Sequence, residues 1–195
     1  MKANEDSDIQ LIERILRGET AAYRALVNRH KDYAFTIAYR LLNNREEAEE
    51  AAQDGFVRAF NGLANFNREA KFTTWFYRVV VNAALTIQQK KKLPTEDLEN
   101  AKNIPYGSQV LRGSEEKNIF KQKEQRYYID LALKQLSSDD VVIITLFYLK
   151  EQSLDEIAEI CNIEANSVKV KLHRARKRLA EIMQLLLKGE EKNLL

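Results

Sequence analysis

The sequence predicts an all-helical protein: two small helical domains joined by a flexible linker, the second containing a helix-turn-helix. Three observations carry this. Apolar residues recur at helical spacing in block after block, without the Val/Ile/Thr-rich alternation of strands. Six glycines and two prolines are few for 195 residues. Both prolines, Pro94 and Pro105, fall with Gly107 and Gly113 in one span, Leu93–Ser114, where the helical period lapses. The expected boundaries are residues 1–92 for the first domain, 93–114 for the linker and 115–195 for the second domain.

Composition narrows the function classes. With 45% apolar and 31% charged residues, the chain can bury a core. A net charge of +2 is too small to argue nucleic acid by itself. Its distribution says more, because an acidic run at Glu46–Asp54 stands against a basic cluster near the C-terminus. The single cysteine, Cys161, cannot form an internal disulfide and sits where packing is expected. No apolar stretch approaches spanning length and the opening KANEDSD is no signal peptide, so a cytoplasmic protein without membrane insertion is expected. There is no phosphate loop, metal-ligand cluster or nucleophile–base arrangement, so neither an enzyme nor a cofactor is expected.

In chain order, Ser7 or Asp8 can cap a short helix carrying Ile9, Ile12 and Leu16, ended by Gly18. A longer helix, Thr20–Leu42, presents Tyr23, Leu26, Val27, His30, Ala34, Ile37 and Leu41 along one face. His30 has no second ligand at metal spacing, so it reads as a core residue. Asn43-Asn44 break the chain and cap the next helix, Arg45 to about Leu63. That helix buries Ala48, Ala51, Ala52, Phe56, Ala59, Phe60 and Leu63, and turns Glu47, Glu50, Gln53 and Asp54 outwards. Glu46 and Glu47 are favoured by the helix dipole alone. Glu50 and Asp54 lie a full turn apart and further in, and form an anionic strip that a basic partner helix could read.

The loop that follows contains Asn65-Phe66-Asn67-Arg68. Phe66 is either exposed between its polar neighbours or folded back as a core plug. The next helix, Phe72 to about Gln89, buries Phe72, Phe76, Val79, Val80, Ala83 and Ile87. Thr74, Arg78 and Asn82 make one polar stripe on it, with Trp75, Tyr77 and Lys90–Lys92 nearby. Aromatic rings interleaved with cations suit single-stranded nucleic acid, which needs stacking surfaces and backbone neutralisation.

Beyond the linker, a helix to Gln135 carries Ile119, Tyr127, Ile129, Leu131 and Leu133. Another, capped by Ser137 or Ser138, carries Val141, Ile144, Leu146, Phe147 and Leu149. The helix-turn-helix then occupies Ser153–Leu179. Ser153 and Glu156 form an S-x-x-E capping box, and Leu154, Ile157, Ala158 and Cys161 face inwards. Asn162 sits at the turn, where a left-handed backbone is tolerated. In the second helix Val168, Leu172, Ala175 and Leu179 form a narrow buried stripe. Asn166, Ser167, Lys169, Lys171, His173, Arg174, Arg176, Lys177 and Arg178 make the remainder polar or basic, as a helix in the major groove requires. An ordinary amphipathic helix with a solvated basic face is the alternative. It does not explain why the turn, the small-residue first helix and the lopsided charge occur together.

Three blocks carry a resemblance to a known family: EEAEEAAQDGFVRAF (Glu46–Phe60), FNREAKFTTWFYRVVVNAAL (Phe66–Leu85) and the stretch from Leu136 to Leu179. In order and spacing they resemble the bacterial RNA polymerase sigma factors of the sigma-70 family, specifically the small extracytoplasmic-function, or group-four, members. The resemblance implies an alternative sigma factor that binds core RNA polymerase and directs promoter-specific initiation. It implies that residues 1–92 are region two and residues 115–195 region four. Expected partners are the beta-prime and beta subunits of core polymerase, promoter DNA and an anti-sigma factor. Glu50, Gln53 and Asp54 match the surface that grips a basic coiled coil of beta-prime. Phe66, Asn67, Arg68 and Lys71 match the loop that takes a flipped minus-ten base, with Trp75, Tyr77, Arg78 and Asn82 on the helix beside it. Lys169, Val170, His173 and Arg174 match the minus-thirty-five reading positions, and Asn166, Ser167 and Lys177 complete that face.

The sequence departs from the family pattern in three places. Ser137-Ser138 replace a frequent proline after Leu136, Asn162 replaces a frequent turn glycine, and residues 83–90 replace an acidic residue and an arginine run. A helix-turn-helix regulator that is not a polymerase subunit would use the second domain equally well, but it leaves the acidic strip and the aromatic–basic helix unexplained. A helical adaptor binding only protein leaves the basic face unexplained.

Overall fold

The computed structural model of the chain describes residues 7–92, 127–150 and 152–191. The expected linker, 93–114, lies outside the described residues, as does the start of the helix expected from Glu115. The described residues are helical with no strand among them: α1 (Asp8–Leu16), α2 (Thr20–Leu42), α3 (Arg45–Gly62), a 3-10 turn (Leu63–Asn65), α4 (Phe72–Lys92), α5 (127–133), α6 (Ser138–Lys150), α7 (Leu154–Cys161) and α8 (Ala165–Glu191).

Local chemistry accounts for the breaks. Ser7 caps α1 in a capping box with Gln10. α2 stops where Asn43 takes a left-handed backbone, φ 51°, and Asn44 then accepts from the Glu47 amide to start α3. The ends of α2 and α3 fall close to those expected. The phase of α1 does not: Leu11, Ile12 and Ile15 are buried, whereas Leu16 is exposed.

In the first group, α2, α3 and α4 pack against one another and α1 lies on α2. The alanines of α3, Ala48, Ala51, Ala52 and Ala59, let the helices approach closely. Gly55 completes that surface, because a Cβ there would sit 2.9 Å from Val80 Cγ2. At the centre Phe76 is fully buried and stacks on Phe72 with centroids 5.5 Å apart. In the second group α6, α7 and α8 pack on one another. The groups also touch, α7 on α4 and α6 on α2, and their apolar residues join in one continuous core.

His30 lies in the core as expected, between Phe72, Phe76 and Tyr77. Its Nε2 donates to Asp8 at 3.0 Å, and Arg29 donates to the other Asp8 oxygen at 2.7 Å. Partial burial pushes the Asp8 carboxyl upwards, but the bonds from His30 and Arg29 outweigh it and hold it below its ordinary range. A carboxyl lowered on folding contributes stability that is present above its unfolded pKa and is lost as pH falls through the folded one. Asp8→Asn should therefore cost about 1–2 kcal/mol at neutral pH. The difference should shrink below about pH 4, the unfolded carboxylate range. Denaturant unfolding at pH 7 and pH 3 checks this; a difference that does not change with pH would show that the pair does not couple folding to protonation.

Candidate nucleic-acid interface

The helix-turn-helix forms through local contacts. Ser153 Oγ accepts from the Glu156 amide at 3.2 Å, and Glu156 accepts from the Ser153 amide at 2.8 Å. Asn162 closes α7 with φ 52°, and the Ile163 amide reaches back to the Ala158 carbonyl at 3.0 Å. Val168, Leu172 and Ala175 are then buried beneath α8, with Leu179 half-buried. Asn166, Lys169, Val170, His173, Arg174, Arg176 and Lys177 are exposed and Ser167 is half-buried. Two cations of this helix are tied to α6. Lys171 donates to Asp139 at 2.7 Å and Arg178 to the buried Asp140 at 2.6 Å. Lys169, Arg174 and Arg176 hold no ion pair among the described residues, so they are free to meet phosphates and base edges.

Asp139 and Asp140 were not legible as part of the recognition unit. In sequence they are acids in a helix's first turn, favoured there by the dipole. Their second use, fixing α8 from below, exists only once the helices pack.

On α3, Glu50 and Gln53 are exposed, and half-exposed Asp54 pairs with Arg58 at 2.7 Å. Glu47, expected on the same face, is half-buried and pairs with Lys91 of α4. Phe60, expected in the core, is 49% exposed and meets Tyr23 edge-on, and Val57 beside it is 59% exposed. The outer face of α3 is thus acidic in its first half and exposes Val57 and Phe60 beside Arg58 in its second.

The loop and α4 need two corrections. Phe66 is the core plug, 7% exposed and packed on Phe72 and Trp75, so it offers no ring to a base. Tyr77, also read as a DNA contact, is fully buried beside Phe76, with its hydroxyl pushed far up by burial. Helical phase alone could not place it, since α4 is packed from several sides. Thr74, at the head of the expected polar stripe, is buried too. Trp75 and Arg78 are half-buried, and Asn82 is exposed. The Trp75 ring lies 3.1 Å from where a Gly62 Cβ would sit, so that glycine makes room for it.

The exposed part of the loop is polar. Asn67 accepts from the Glu69 amide at 3.3 Å and donates to the Glu69 carboxylate at 2.7 Å, an Asx-type turn. Arg68 has φ 63° and reaches Glu13 of α1 at 2.8 Å. Lys71 pairs with Glu156 of α7 at 2.7 Å. Burial would raise Glu156, but the hydrogen bonds from Lys71 and Ser153 prevail and hold it below its usual value. The described residues contain no helix long and apolar enough to cross a membrane.

The comparisons with known proteins cover both helical groups. Residues 26–92 match the model for sigma-70 region 2 and residues 126–179 that for sigma-70 region 4. The extracytoplasmic-function RNA polymerase sigma factor SigW of Bacillus subtilis is 32% identical over 86% of this chain and 92% of its own. The RNA polymerase sigma-H factor of Pseudomonas aeruginosa is 26% identical over 94% and 97% of the two chains. Two solved structures share the fold. CnrH, in complex with the cytosolic domain of CnrY, aligns with TM-score 0.68 and 19% identity over 92% of this chain and 99% of its own. The sigma factor RpoE of Bartonella quintana, in complex with the anti-sigma factor NepR, aligns with TM-score 0.65 and 19% identity over 83% and 96%. With both sigma regions matched in order and a relative of that identity along most of its length, this chain belongs to the extracytoplasmic-function sigma factors of the sigma-70 family.

Proposed function

We propose that this alternative sigma factor docks on core RNA polymerase through the outer face of α3, with Glu50, Gln53 and Asp54 against a basic helix of beta-prime. The exposed face of α8 then reads the minus-thirty-five element. Asn67 and Arg68 of the loop, with Trp75, Arg78 and Asn82 of α4, receive the minus-ten strand. Residues 1–92 act as region two, 115–195 as region four, and 93–114 as the tether between them. An anti-sigma factor is the expected regulator; the RpoE of similar fold is in complex with one, NepR. The observation that carries this reading is that one chain holds both an open basic recognition face and a separate acidic docking strip. A plain DNA-binding regulator has use for only the first.

Reconstitution tests it. The purified chain should bind core polymerase stoichiometrically and start transcription at promoters recovered by sequencing the DNA bound to the holoenzyme. Lys169→Ala and Arg174→Ala should weaken promoter binding and leave polymerase binding intact. A base contact is worth about 1–3 kcal/mol and its loss relaxes specificity at one position; a phosphate contact weakens all sequences alike and lowers the salt slope by about one. Promoter affinity and selectivity unchanged in both variants would return α8 to an ordinary solvated face.

A further inference from the structure

α8 lies on α6 and α7 through a narrow apolar stripe of Val168, Leu172 and Ala175, with Leu179 half-buried. Val168 and Ala175 are short, so the stripe holds the helix down but resists little rotation about its axis. Rotation matters in a helix that reads DNA, because base edges are told apart by hydrogen bonds of fixed geometry.

Two ion pairs supply the stops. Lys171 donates to Asp139 at 2.7 Å, and Arg178 donates to Asp140 at 2.6 Å. The acids are neighbours at the start of α6, whose first turn is itself capped by Ser137 Oγ on the Asp140 amide at 3.3 Å. The cations are seven residues apart in sequence. They therefore stand about two turns, or about 10 Å, apart along α8 and within about 20° of each other around it. That line is the shoulder between the buried stripe and the outward face of Val170, His173 and Lys177. The pairs are unequal. Asp139 is exposed, whereas Asp140 is only 4% exposed and is neutralised by Arg178.

We propose that Asp139 and Asp140 are positioning residues for promoter reading: through Lys171 and Arg178 they set the roll of α8 and withhold both cations from the phosphates. The inference rests on the reading of α8 as the minus-thirty-five helix, and gives selectivity to two acids that touch no DNA. Moving Arg178 to a phosphate would strand a buried carboxylate, which is strongly unfavourable, so Arg178 stays on α6 when DNA arrives. Phosphate contacts strengthen every sequence alike, so withholding two of them costs no selectivity. A fixed roll keeps Lys169, His173 and Arg174 aligned with one set of base edges.

The test is binding of the reconstituted holoenzyme, over a range of salt, to the promoter recovered from its bound DNA. Single-base changes across the minus-thirty-five element measure its preference. Asp140→Asn with Arg178→Met removes both partners together, so no lone charge is left buried. The preference should fall about fivefold or more, the low end of one lost base contact, with the salt slope unchanged. Arg178→Lys still neutralises Asp140 and should keep most of the preference. Asp139→Asn frees Lys171 at an exposed site, and should steepen the slope by about one as that lysine reaches a phosphate. Circular dichroism and thermal unfolding show which variants are folded; if the double variant is not, Asp139→Asn still decides. A folded double variant that weakens all sequences alike and lowers the slope by about one would make Arg178 an ordinary phosphate contact and overturn the proposal. Undiminished preference in that variant, or an unchanged slope in Asp139→Asn, would overturn it as well. If the unaltered chain forms no holoenzyme, the functional reading fails. The same comparisons with the free chain, on duplexes it selects from a random pool, then decide the role of the acids.

Discussion

Reversing Glu50→Lys and Asp54→Lys together should abolish holoenzyme formation while leaving the fold intact. Glu50 is exposed, and among the described residues Asp54 holds an exposed ion pair with Arg58 one turn on. Losing such a pair costs the monomer about 0.5 kcal/mol or less. The docking partner is where the reversal is felt. Two cations in place of two anions set like charges against a basic helix, at several kcal/mol. Each 1.4 kcal/mol is a factor of about ten, so affinity should fall by more than about a hundredfold. Val57 and Phe60, exposed beyond the strip on α3, mean that association should not be purely electrostatic. Raising salt should therefore weaken the natural chain only in part. A pull-down with core polymerase, paired with thermal unfolding of the free variants, measures both sides. Retained polymerase binding by a folded double variant would remove the strip from the docking surface.

The second large effect is expected in promoter melting. A base leaving the stack costs a few kcal/mol and needs a receiving site. Phe66 cannot be that site while it plugs the core, and Phe66→Ala would report packing rather than capture. The informative variant is Asn67→Ala with Arg68→Gly. It removes the loop's exposed amide and one cation, and glycine accepts the left-handed backbone at 68 without steric cost. Closed promoter binding should be nearly unchanged, because α8 and the docking strip are untouched. Open complexes should fall by about tenfold to a hundredfold, the equivalent of about 1.4–2.8 kcal/mol of lost capture. A template already unpaired at minus ten should recover much of the activity, since its unstacking has been done in advance. Permanganate reactivity of minus-ten thymines reads the outcome. Normal melting by the double variant would take the loop out of the mechanism.

How much could be read from the chain itself follows from the range of each interaction. The caps and turn of the helix-turn-helix were legible because their determinants, Ser153 with Glu156 and the left-handed Asn162, act within a few residues. Asn43 and Asn44 made the α2–α3 break legible for the same reason. The misplaced residues all depend on partners distant in sequence. Tyr77 and Thr74 look like surface positions on a helix with one buried face, but α4 meets α2 and α3 within its own group and α7 beyond it. Phe60 looked like core and is exposed, because small residues at Ala48, Ala51, Ala52, Gly55 and Ala59 form the packed face of α3. The ties from Asp139 to Lys171 and from Lys71 to Glu156 have no local signature in either member.

The sulfur of Cys161 carries one more consequence. Burial, with Asp139 nearby, pushes this thiol up to about 11. Nucleophilic attack on peroxides and disulfides needs the thiolate, and a thiol held that high stays protonated at neutral pH. This is the only cysteine in the chain. Its thiol is therefore a poor target for oxidants. If its regulon answers oxidative stress, a thiolate at Cys161 is not the sensor.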